Sequence, residues 1–146
     1  MTYIADMAAC DYFGLNHGGH LIAIGWLDKA HDYPKGTLKE DDILHLNHLL
    51  LNPFQPMLFL GTHQCNLCAS DGPEGYLNLF VPDQGDILVA PELIMHYIEF
   101  HNYLPPHRFM TALRNLPGSN GIEYESKLIA NNGSFLSLPD NTFGEH

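Results

Sequence analysis

The sequence predicts an α+β fold: a small mixed or antiparallel sheet with three to four helices. Three observations predict it. Short apolar runs bounded by turn residues read as strands, at "LIAIGWL" (21–27) and in the pair "YLNLFVP" (76–82) and "DILVAP" (86–91). Segments with apolar residues on one helical face, bounded by capping residues and prolines, read as helices. Between them stands "GTHQCNLC" (61–68), a Cys-x2-Cys pair that feeds the hairpin and then a helix.

In chain order, "LIAIGWL" is a buried strand between Gly18-Gly19 and Asp28-Lys29, and "HDYPKG" (31–36) is a turn. Thr37 and Glu40 fit a capping box that opens a helix through about Leu51. Its apolar face is Ile43, Leu46 and Leu50, flanked by Leu49 and Leu44, with His45 and His48 on the polar side. "NPFQP" stops it. "MLFLGT" (57–62) reads as a strand running into the cysteine pair, and "DGPEG" (71–75) as a turn. The two strands that follow form a hairpin around Asp83–Gly85.

Pro91 and Glu92 suit the first turn of the next helix, which must end near Asn102–Leu104 because Pro105-Pro106 follows. "PHRFMTALRNL" (106–116) is a further helix with Phe109, Leu113 and Leu116 on one side. "GSNGIEYESKLIA" (118–130) is another, with Ser119 as N-cap and Tyr124/Leu128 as an i,i+4 contact. One domain is expected over residues 1–130, with 131–146, rich in Asn, Gly, Ser and Pro, as a loosely ordered tail.

Charge narrows the function classes. Six Lys+Arg face 17 Asp+Glu, a formal charge of −11. Such a surface repels nucleic-acid phosphates and anionic lipid, and it favours a basic protein partner. "MTYIADMAAC" has no basic n-region, and no apolar run is long enough to span a bilayer. The expectation is a cytoplasmic protein whose paired thiols hold metal rather than a disulfide.

The metal reading starts from Cys65 and Cys68, whose turn can aim both thiolates at one point. The helix over 91–103 then supplies His96 and His101. Two thiolates and two imidazoles suit tetrahedral zinc better than an iron–sulfur centre. One feature resists: residues five apart on an ideal helix diverge by about 140°, so the last helical turn must loosen or tighten. His63 is the alternative. In an extended strand it faces the same side as Cys65, as fourth ligand in place of His101 or as a partner to a ligand. Four protein ligands close the shell, which favours a structural Zn2+ over a catalytic one. Glu99 sits in an H-x-x-E-x-H arrangement that matches no metallopeptidase helix motif and reads as a solvated carboxylate.

Other candidates read as structure. His17 and His20 flank a turn, His45 and His48 form a solvated pair, and Cys10 and Trp26 are core residues. "GSNG" is a turn rather than a phosphate loop.

The chain resembles a family of small, mostly uncharacterised bacterial proteins. The segments that carry the likeness are "AIGWLD" with a downstream "YPKG", "GTHQCNLC", "NLFVP", "ILVAPELIMHYIEFHNYLPP" and "LPGSNGIEY", over roughly residues 21–125. The pattern is H-x-C-x-x-C followed by A-P-x-L-I-x-H-Y-I-x-x-H-x-Y-x-P-P. The resemblance implies metal ligands at His63, Cys65, Cys68, His96 and His101, and no activity. This chain departs from it at Thr62, where relatives often carry an aromatic residue.

Two functions follow as expectations. The first is a non-catalytic protein with a structural zinc site that acts as a protein-interaction module, in one form an inhibitor or immunity-type protein masking a basic partner. The second is a metal-dependent hydrolase at the same site, with Glu99 or a free His as base.

Overall fold

The computed structural model describes residues 3–56 and 62–136. The strand expected at 57–62 falls almost wholly outside them. The fold is α+β, and its three-stranded sheet is mixed.

Strand β1 (Leu21–Ala23) pairs in parallel with β5 (Asp86–Pro91), and β4 (Asn78–Asp83) pairs antiparallel with β5, so the order is β1-β5-β4. The registers put Leu21 opposite Ile87 and Phe80 opposite Val89. Ile87, Leu88, Val89 and Ala90 are all fully buried. That explains the unbroken apolar run in β5: a central strand covered on both faces has no polar side to alternate with. The β4–β5 hairpin turns at Gln84 and Gly85, both with positive φ (48° and 85°), as a tight two-residue turn requires.

β1 is shorter than the expected 21–27 strand. Gly25, at φ 74°, turns the chain out of the extended region. The residues beyond stay in the core nonetheless. Ile24 donates its amide to Val89 at 2.9 Å, and the indole of Trp26 donates to the Val89 carbonyl at 3.1 Å.

Helix α1 (Glu40–Leu49) starts at the expected Glu40, but the capping box does not form. The N-cap is Lys39, with no side-chain cap, and three acidic residues fill the first turn. Leu46 and Leu49 are buried, whereas Leu44 is exposed. His45 is not a solvated partner of His48. Its Nε2 lies 2.8 and 2.9 Å from the carbonyls of Leu113 and Leu116, where it satisfies the end of the third helix.

Helix α2 (Ile94–His101) begins later than Pro91, because Pro91 closes β5 opposite Asn78. Glu92 does not serve a helix start either. Its carboxylate accepts the amides of Tyr76 and Leu77 at 2.6 and 3.0 Å. Helix α3 (His107–Arg114) buries Phe109, Met110, Ala112 and Leu113. Helix α4 (Ile122–Ala130) buries Tyr124 and Leu128 as the expected i,i+4 pair, and the Tyr124 hydroxyl donates to the Phe80 carbonyl. Its N-cap is Gly121, not Ser119, whose hydroxyl donates to the Leu49 carbonyl instead. Of the stretch expected as a tail, 131–136 is described: a 3-10 turn covers Ser134–Leu136, and Leu136 is fully buried, while 137–146 lies outside the described residues.

A second, two-stranded ladder joins β2 (His63–Gln64) to β3 (Glu74–Gly75). It leads into the knuckle, whose cysteines meet the histidines of α2. Among the described residues, no helix is long and apolar enough to cross a membrane.

Candidate metal centre

The knuckle is built by backbone constraint. β2 pairs His63 with Gly75 and Gln64 with Glu74, then the Cys65 amide donates to the Pro73 carbonyl at 2.9 Å. Gly72 passes so close that a β-carbon there would lie 2.2 Å from the Cys65 carbonyl oxygen, so only glycine fits. Gln64 reaches back to the Gly72 carbonyl at 3.0 Å. Between the two cysteines, Asn66 accepts the Lys29 amide at 3.0 Å and donates to Asp28. Both sulfurs are thereby turned toward the end of α2.

The other half comes from the end of α2. Asn102 stops the helix in the left-handed region at φ 59°, and its amide donates to the Tyr97 carbonyl, five residues back. The Tyr103 amide donates to the same carbonyl at 3.2 Å. This closure is wider than the ordinary four-residue step, and it brings residues five apart nearly over one another. The expected loosening is therefore present. The Tyr33 hydroxyl donates to the His101 carbonyl at 2.7 Å and fixes the same turn from outside.

Four donors converge. Cys68 Sγ lies 3.3 Å from His96 Nε2 and 3.4 Å from His101 Nε2, and Cys65 Sγ lies 3.4 Å from His101 Nε2. The two Nε2 atoms are 3.2 Å apart, and all four donor atoms lie within 4.8 Å of one another. For zinc, with bonds near 2.3 Å to sulfur and 2.0–2.1 Å to nitrogen, a tetrahedron has edges of about 3.4 Å (N–N), about 3.5 Å (N–S) and about 3.8 Å (S–S). The N–N separation and the three N–S separations match the corresponding edges to within a few tenths of an ångström. Cys65, Cys68, His96 and His101 are close enough to hold a metal ion, and the donor set is consistent with zinc.

Electrostatics agree. Burial pushes the Cys68 thiol up, and the neighbouring Cys65 sulfur adds to it. Burial holds the His96 imidazole below its usual range, and His101 pushes the same way. Both effects favour neutral groups, and a bound cation acts against the first by stabilising thiolate.

His63 is not one of the four. Its ring is buried, 3% exposed, between Tyr12 and Trp26, each 5.1 Å away between centroids. Its Nδ1 has no hydrogen-bond partner. Glu99 is exposed and also outside the group. His17 is tied to Asp11 at 2.8 Å and accepts the Gly19 amide at 3.0 Å, while His20 lies 3.0 Å from Asp86. His17 thus holds the turn before β1, and His20 ties that turn to the start of β5. Burial raises the Cys10 thiol to about 11, in keeping with an inert core residue. Sequence reasoning missed Tyr33, Asn66 and Gly72. Only Gly72, in "DGPEG", carried a local signal of close backbone approach.

The model of the domain of unknown function DUF7919 matches residues 2–114. The chain belongs to this family. The matched DUF7919 region contains all four donors and His63, and it ends before α4. The family is uncharacterised, as the resemblance implied. No curated protein and no solved structure matches the chain.

Proposed function

We propose that the protein is a non-catalytic binding module held by a structural zinc ion, and that its acidic surface engages a basic protein partner. One observation carries the first half: two sulfurs and two nitrogens lie within 4.8 Å of one another, and four such protein donors fill the shell of a tetrahedral zinc, leaving no position for substrate or activated water. The metal would tie the knuckle after β2 to the end of α2. The main core stands without it, with Trp26, Phe80, Tyr97 and Phe109 fully buried. Zinc thus fixes a local surface rather than the whole fold.

The second half rests on the charge of −11, which speeds and orients encounter with a cationic surface. One form of this role is an inhibitor or immunity-type protein that masks a basic partner. The competing reading, a metal-dependent hydrolase, needs an open coordination position and a base beside it. Glu99, its named base, is exposed and outside the donor group.

Elemental analysis and X-ray absorption of protein purified without added metal test the site. One zinc per chain with two sulfur and two nitrogen neighbours is expected; a bound water in place of a protein donor would move the assignment to the hydrolase. Affinity capture at low and high salt tests the partner. A basic protein retained only at low salt is expected, and retention of none would end the interaction reading.

A further inference from the structure

We propose that Cys65 and Cys68 form a reversible intramolecular disulfide under peroxide, and that its formation expels the metal ion. The inference rests on the zinc reading above and adds to it a means of regulation.

The first argument is pairing. The sequence has three cysteines. Cys10 is fully buried in the core and is not part of the donor group, whereas the Cys65 and Cys68 sulfurs lie within 4.8 Å of each other. A disulfide needs about 2.05 Å between sulfurs, so the pair must close by less than 3 Å, within the range of side-chain rotation. Of the three thiols, these two are the pair the structure brings together.

The second is access. Cys68 is half-buried and Cys65 is buried. Peroxide therefore meets Cys68 first, and Cys65 stands behind it as the resolving thiol.

The third is that the bend does not depend on its sulfurs. Cys65 is held through its amide to Pro73, Gln64 through its side chain to Gly72, and Asn66 through Asp28 and Lys29. Oxidation leaves these contacts in place. It removes two of the four donors, and His96 and His101 alone make a weak zinc site.

The chemistry balances. The Cys68 thiolate attacks one peroxide oxygen, the O–O bond breaks, and hydroxide leaves to become water on protonation. The Cys65 thiolate then attacks the Cys68 sulfur of the sulfenic acid, the S–O bond breaks, and a second water leaves. The two sulfurs lose two electrons, the peroxide gains them, and two protons come from solvent. Zinc leaves unchanged in oxidation state. A dithiol reductant reverses the step by exchange through a mixed disulfide.

The test uses the full chain, loaded with zinc and freed of excess, treated with stoichiometric hydrogen peroxide in the presence of a chromogenic zinc chelator. Released zinc, free thiols and intact mass are followed together. The expected result is one zinc released per chain, two of the three thiols lost, and a monomer mass lower by two hydrogens than the reduced metal-free chain. Reductant and zinc should restore the starting state. Cys10→Ala should respond in the same way; loss of its response would put Cys10 in the pair and overturn the proposal. Zinc retained through oxidation, or released with added oxygen mass or as a linked dimer, would also overturn it. A chain that binds no zinc at the outset would defeat the structural-metal reading instead, so the two failures separate.

Discussion

The Nε2 atoms of His96 and His101 lie 3.2 Å apart, although five positions separate the residues on one helix. A regular α-helix would point them about 140° apart. The widened closure onto Tyr97 removes that divergence and places both nitrogens within 3.3–3.4 Å of Cys68 Sγ.

Removing the metal should lower stability without unfolding the chain. With free zinc at 100 times Kd, bound metal contributes about 2.7 kcal/mol. For a chain of this length that is roughly 5–10 °C in Tm. Calorimetry with and without a strong chelator checks it. Cys65→Ser should show the lower Tm from the start and no further response to chelator. A Tm unmoved by either change would refute the structural role.

The end of α2 should depend on Asn102. Its φ of 59° is tolerated by Asn and Gly but costs most other residues roughly 1–2 kcal/mol. Asn102→Gly should keep both stability and zinc affinity. Asn102→Val should lower both, because relaxing the turn swings His101 away from His96. Zinc titration against a competing chelator reads the difference; equal affinities for the two variants would detach the turn from the site.

Gly72 should be irreplaceable in the knuckle. The nearest atom to an added β-carbon is backbone, the Cys65 carbonyl oxygen at 2.2 Å, so no side-chain rotation relieves the clash. Gly72→Ala should weaken zinc binding at least tenfold while the mixed sheet persists, as judged by circular dichroism. Gly118→Ala, where an added β-carbon meets nothing within 4 Å, serves as the control.

Acid stability should depend on the hairpin charge cluster. Burial pulls the Asp86 carboxyl upward, but His20 and Arg108 outweigh it and hold it below the usual carboxylate range. A depressed folded value means stability that is present above the unfolded pKa of about 3.9 and is lost as pH falls through the folded value. Asp86→Asn should therefore cost on the order of 1 kcal/mol at pH 7 and flatten the loss below about pH 4. Urea midpoints at pH 7 and pH 3 test the sign. A variant that loses stability equally at both would show packing rather than charge.

Much of the fold was legible because its signals are local. The hairpin could be read from Asp83–Gly85 with apolar runs on either side, and the end of α2 from Asn102 and the double proline that follows. The misread positions share one cause: a distant group claimed the side chain. Glu92 is taken by the amides of Tyr76 and Leu77, Ser119 by the Leu49 carbonyl, and His45 by the end of α3. Pattern reading assigns such residues to their own element, since the acceptor lies far along the chain.

By itself the sequence determined the donor types and their spacing, a thiol pair on a bend and imidazoles on a proline-terminated helix. Only the tertiary structure decided which imidazoles meet the sulfurs. Alternation along the strand holds, with His63 and Cys65 buried on either side of exposed Gln64, but facing one side does not bring the His63 ring to the donor group. His63 packs instead between Tyr12 and Trp26, and His101 is delivered by a helix end that no spacing rule describes. The physical reason is that ligand direction depends on backbone geometry at the knuckle and at the end of α2, and each is set by contacts from elsewhere in the fold.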